Sequence, residues 1–157
     1  MKKKQIEYFN KQLHLANRTK LPIVIHCRGD QRTDELCLNC VTNLLPSTHR
    51  IHRHCFNGNT AMYRAWKTAF PSCKFGISPF LLLDDKYPDF RALVCEMKLE
   101  DLLIESDAPY LHPSSLKFGS PLLVRDIADK LANIFSCTVD EVAEITANNA
   151  VELYNLQ

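Results

Sequence analysis
An α/β fold built on one parallel sheet is what this 157-residue sequence predicts. Two observations predict it. Short apolar runs alternate along the chain with segments whose apolar residues recur at helical spacing. The runs are also nearly continuous, as in strands buried on both faces, where a half-exposed strand would alternate.

The first helix carries Ile6, Phe9, Leu13 and Ala16 on one face, with lysine and glutamine opposite. Pro22 opens the run LPIVI, the first strand. Thr33 is expected to cap a second helix with the apolar face Leu36, Cys37, Cys40, Val41 and Leu44. The strand RIHRH, residues 50–54, follows Pro46, and Asn59 or Thr60 caps a third helix bearing Met62, Ala65, Trp66, Ala69 and Phe70. Pro71 closes that helix, and residues 73–77 read as a third strand ended by Ser78-Pro79. A fourth helix holds Phe90, Leu93, Val94 and Met97, and LLIE, residues 102–105, makes the fourth strand. Ser120 and Pro121 are expected at the N-cap and first position of a helix carrying Leu123, Ile127, Leu131 and Ile134. Thr138 and Glu141 make a capping box for the last helix.

Four strands with outer helices are half of a (β/α)8 barrel, which takes about 250 residues. A small open α/β sheet fits the pattern as well. Either way, residues 1–157 read as a single, partial domain. With 46% hydrophobic and 24% charged residues, the composition is that of an ordinary globular protein. Nineteen basic against eighteen acidic residues exclude a chain dominated by attraction to nucleic acid, though not one that grips a few phosphates. Seven cysteines are an odd number, and the basic start from Met1 to Lys4 leads into no apolar signal core. Reduced thiols and an intracellular setting, cytoplasmic or nuclear, are expected. No run approaches the roughly 18 to 20 apolar residues of a membrane helix.

In parallel α/β folds functional side chains gather at the C-terminal strand ends. His26, His54 and Asp107 all stand there. Imidazoles with a carboxylate suit zinc or manganese, and magnesium would favour the carboxylate. His52 shares strand parity with His54 and is expected one layer deeper, as a buried, hydrogen-bonded histidine. Glu105 shares parity with Asp107 and is expected either to orient a ligand from behind or to join an ion pair. Arg28 and Arg53 are candidates for phosphate contact, although Arg53 has the opposite parity from His54. Asp30 and Asp34 read as loop and helix-start residues. Cys37, Cys40, His49 and His54 imitate a zinc-finger set, but eight residues separate the pairs where about twelve are usual. Both cysteines also lie on the apolar stripe of their helix, so core packing is expected of them.

Taken together and in order, LPIVIHCR, IHRHCFNG and LLIESDAPYL resemble the TatD family of metal-dependent deoxyribonucleases, most closely its eukaryotic TatD domain-containing branch. QLHLA in the first helix and the closing ITANNAVELYNL are similar as well. The resemblance implies a (β/α)8 barrel holding two divalent ions. It implies His26 and His54 as two histidine ligands of one ion, and Asp107 as the carboxylate near the other ion and the attacking water. It also implies an earlier His-x-His pair and a metal-bridging glutamate, neither of which stands upstream of His26. Ser106 replaces the commoner threonine.

The chain is therefore expected to be the C-terminal half of a barrel. The family activity would be metal-dependent hydrolysis of phosphodiesters in DNA, working from a 3′ end, with the site in this chain impaired. The alternatives are a non-catalytic fragment or interaction module and, third, a zinc-stabilised nucleic-acid module on Cys37 and Cys40. Open parallel edges would invite self-association.

Overall fold
The computed structural model describes residues 3–83 and 86–156, so Met1 and Lys2 of the basic start lie outside it. Four strands, β1 (Ile23–His26), β2 (Ile51–His54), β3 (Lys74–Ile77) and β4 (Leu102–Ile104), form one sheet in the order β1-β2-β3-β4. Every pairing is parallel. Among the described residues six α-helices accompany them: α1 (Lys3–Thr19), α2 (Gln31–Leu44), α3 (Thr60–Ala69), α4 (Pro88–Cys95), α5 (Leu123–Phe135) and α6 (Val139–Tyr154). The element order agrees with the expectation throughout. Among the described residues no helix is long and apolar enough to cross a membrane.

Two helix starts differ from the expectation. Asp30, rather than Thr33, caps α2, its carboxylate accepting from the Thr33 N–H at 2.9 Å and the Thr33 hydroxyl at 2.6 Å. An aspartate is the stronger acceptor for free helix N–H groups and favours the N-terminal end of the dipole. The helix α5 begins at Leu123, because Ser120 accepts from the Leu122 N–H in a turn ahead of it. Asn59 caps α3, and the Thr138–Glu141 box caps α6.

Register sorts the side chains. His26 pairs with His54, Val24 with His52, His52 with Lys74, and Gly76 with Leu103. The period of two then puts Val24, His26, His52, His54, Lys74, Gly76 and Leu103 on one face. Ile25, Ile51, Arg53, Phe75 and Leu102 face the other way, into the core that the helices close with Val41, Trp66, Phe70 and Leu131. That outer face is dry, whereas the inner face is partly open: Val24 is 51% exposed.

The inner face is stopped at its lower end by α6. Asn149 donates to the carbonyls of Leu99 and Leu102, and Lys74 reaches Asn149 and Glu152. Among the described residues β1 and β4 have no further strand beside them. A cavity of about 540 Å³ runs along β4 under Ala128, Ala147 and Ala150, and one of about 430 Å³ runs along β1 beside Phe9 and Leu21.

Candidate metal centre
Glu105 is the hub of the site. It follows β4, yet its carboxylate lies across β3 and ends against β2. Oε1 accepts a short hydrogen bond from His54 Nδ1, and Oε2 accepts from the Cys55 N–H at 2.7 Å. His52 Nε2 stands 3.1 Å from the same Oε1. The path is open because residue 76 is glycine: a Cβ there would stand 1.7 Å from Glu105 Oε2. Burial by itself would raise the Glu105 carboxyl, but the adjacent His52 and His54 imidazoles and the Cys55 N–H outweigh it and hold the group below its ordinary value. The carboxylate is therefore ionised at neutral pH.

One donor atom each from His52, His54 and Glu105 lies within 4.8 Å of the others, a spacing that can surround one cation. Since His54 turns Nδ1 to Glu105, its Nε2 is left on the opposite side, 3.9 Å from Asp107 Oδ2. Asp107 Oδ1 is buried and has no hydrogen-bond partner. The His26 ring lies with its centroid 5.3 Å from that of His54. Imidazole nitrogens and carboxylate oxygens are thus gathered in one place. The set fits a divalent cation. Cys55 and Asp107, each at φ 47, occupy the left-handed region that non-glycine residues seldom adopt, immediately beside these donors. The Cys55 thiol is pushed up to about 12 by burial and remains protonated.

A cavity of about 390 Å³ opens over the strand ends, with His26, Arg28, Asp107 and Tyr110 in its wall. His26, Arg28, His54 and Asp107 are thus gathered at one end of the sheet, and Glu105 bonds to His54 Nδ1. His52 is buried and hydrogen-bonded through Nδ1 to Tyr154, as expected, but its other nitrogen faces the donors. Arg53 corrects an expectation. It meets no phosphate, being 2% exposed and directed into the outer core. There it pairs with Asp34 at 2.5 Å, donates to the Ile25 carbonyl, and stacks over Trp66 at 4.7 Å. Asp34 accordingly is a buried ion-pair member, and it also accepts from Trp66 Nε1 at 2.8 Å. Cys37 is packed in the core, and the donor group found among the described residues includes neither Cys37, Cys40 nor His49.

Two contributors were not singled out from the sequence. Gly76 carries no motif, although a lone glycine inside a strand signals close approach by another group. Tyr154 reaches His52 from 102 positions away, and nothing local announces it.

A parallel sheet that collects imidazoles and carboxylates at its C-terminal edge defines a barrel-type α/β protein with a metal-competent strand-end site. Comparison narrows the class. The TatD related DNase family matches residues 1–155, and the chain belongs to that family. It is 31% identical to the Bacillus subtilis protein named uncharacterized metal-dependent hydrolase YabD, over 97% of this chain and 58% of that one. It is 30% identical to the 3'-5' ssDNA/RNA exonuclease TatD of Erwinia amylovora, over 97% of this chain and 59% of the relative. The human 3'-5' RNA nuclease TATDN2 matches at 29% over 97% of this chain and 20% of its own length. Among solved structures, the Escherichia coli TatD homolog YJJV superposes with TM-score 0.76 at 25% identity, covering 94% of this chain and 55% of that one. The chain thus spans little more than half the length of the bacterial relatives.

Proposed function
We propose that this chain carries the metal-binding strand ends of a phosphodiesterase that hydrolyses DNA or RNA from a 3′ end. The observation that carries the reading is the approach of His54 Nε2 to Asp107, whose Oδ2 is 3.9 Å away and whose Oδ1 has no partner, beside His26 and over a cavity that Arg28 also lines. His26, His54 and Asp107 would hold a divalent ion such as magnesium, manganese or zinc. Such an ion supplies Lewis-acid polarisation of a phosphoryl oxygen and acidifies water. Glu105 keeps the His54 proton on Nδ1, which leaves Nε2 free as a donor. Asp107 Oδ1 orients the attacking water and accepts its proton. The Arg28 guanidinium pairs with phosphate, and the exposed Tyr110 ring offers a face to a terminal base.

Seven free cysteines go with an intracellular setting, cytoplasmic or nuclear. Association between copies through the β1 and β4 edges belongs to the same reading. So does full turnover needing the earlier His-x-His and glutamate donors that the motif resemblance implies.

A second reading, a non-catalytic binding fragment, is favoured by one observation: among the described residues only one three-donor group forms. End-labelled single-stranded DNA and RNA, incubated with purified protein and each metal or EDTA, separate the two. EDTA-sensitive release of nucleotides, lost in H54A and D107A, is the expected result. Turnover indifferent to EDTA or to H54A overturns the nuclease reading. Metal uptake without turnover selects the binding fragment.

A further inference from the structure
We propose that His52 is an additional ion-facing donor, grouped with His54 and Glu105, and that Tyr154, from the last turn of α6, positions its ring by bonding Nδ1 in whichever tautomer the ion requires. The proposal rests on the metal-centre reading above and adds two residues to it.

His52 is 7% exposed, so both ring nitrogens need an account. The first is simple. Nδ1 lies 2.6 Å from the Tyr154 hydroxyl, whose ring meets the imidazole edge-on with centroids 6.1 Å apart. The second nitrogen has no such partner. Nε2 is buried and makes no hydrogen bond of acceptable geometry, although Glu105 Oε1 is only 3.1 Å away. That oxygen is already taken by His54 Nδ1. The His54 ring stands edge-on to His52 with centroids 6.0 Å apart, and one donor atom each of His52, His54 and Glu105 lies within 4.8 Å of the others.

A neutral imidazole carries one proton, and its place decides what Nε2 can do. With the proton on Nδ1, His52 donates to the Tyr154 oxygen, and Nε2 presents a lone pair to the Glu105 carboxylate. Two lone pairs at that separation repel unless a cation lies between them. With the proton on Nε2, Tyr154 donates to Nδ1 and the ring would donate to Glu105, but the angle for that bond is poor. A phenol hydroxyl serves either arrangement, because it both donates and accepts. Tyr154 can therefore stay in place while the tautomer follows the ion. This is the support that metal-bound histidines ordinarily receive from a partner on the other nitrogen. Lys74, Asn149 and Glu152 fix α6 to the lower end of the sheet and so set the height of Tyr154.

The test is Mn²⁺ affinity by electron paramagnetic resonance, with melting in EDTA as a check that each variant folds. Tyr154→Phe is expected to weaken Mn²⁺ binding about tenfold, and His52→Phe up to about a hundredfold. Affinities within twofold of wild type in both variants, with His54→Ala still losing binding, overturn the role of His52 and leave the nuclease reading standing. Wild-type protein that takes up no Mn²⁺ overturns both. Should a variant fail to fold, nitrogen-15 spectra of the wild-type histidines with Zn²⁺ decide the matter. His52 is expected to carry its proton on Nδ1, and a proton remaining on Nε2 overturns the proposal.

Discussion

The two faces of β2 hold buried charge in opposite ways. On the outer face Arg53 meets Asp34, and both oxygens of that carboxylate are used, one by Arg53 and the other by Trp66 Nε1. The Arg53 nitrogen without a partner, Nε, is an N–H donor in a side chain stacked on aromatic rings. On the inner face the atoms left over are of the other kind. Asp107 Oδ1 offers lone pairs only, and His52 Nε2 offers one in the tautomer that donates to Tyr154. A closed network of this sort fixes α2 and α3 to the sheet. An open one, rich in acceptors, is what a cation completes. The distinction between structure and function on this strand lies in which lone pairs are spent.

The largest test of that contrast removes the outer pair. Arg53→Ala leaves Asp34 buried without its cation and should cost about 3–5 kcal/mol, read as a shift in urea midpoint. If the two faces are independent, the variant that still folds keeps its Mn²⁺ affinity. Next comes Gly76→Ala. Its new methyl group occupies the place of the Glu105 carboxylate, so Mn²⁺ affinity should fall between about tenfold and a hundredfold. A variant that binds as tightly as wild type would show that Glu105 does not need to cross β3.

Trp66→Phe keeps an aromatic ring, though a smaller one, and deletes the bond to Asp34; it should cost at least about 1–3 kcal/mol in the same denaturation measurement with no change in metal affinity. The smallest effect is one of pH. The folded Glu105 carboxyl lies below its ordinary value of 4.5, so its contribution to stability is present above that pH and is lost as pH falls through the lower folded value. In EDTA, Glu105→Gln should narrow the difference between urea midpoints at neutral pH and below pH 4.5. An unchanged difference would mean that the hydrogen bonds to Glu105 carry no net stabilisation.

The four strands and six helices were legible because each depends on local periodicity and local caps. Where the reading slipped, at the starts of α2 and α5, neighbouring polar residues competed for the same free N–H groups, and the geometry of the turn chose between them. His26, His54 and Asp107 were legible from position alone, each following an apolar run. The partner of Arg53 was not. Parity showed only that it points away from His54, and the buried carboxylate that receives it comes from a helix nineteen positions earlier in the chain.

By itself, then, the sequence determined the order of elements, the parallel sheet, and the strand ends at which His26, His54 and Asp107 would stand. Hydrophobic period and turn chemistry act over a few residues, so they can be read along the chain. Only the tertiary structure decided which nitrogen of each histidine is free. That depends on Glu105 passing over Gly76 and on Tyr154 arriving from the far end of α6, contacts between residues brought together by packing and by no local rule.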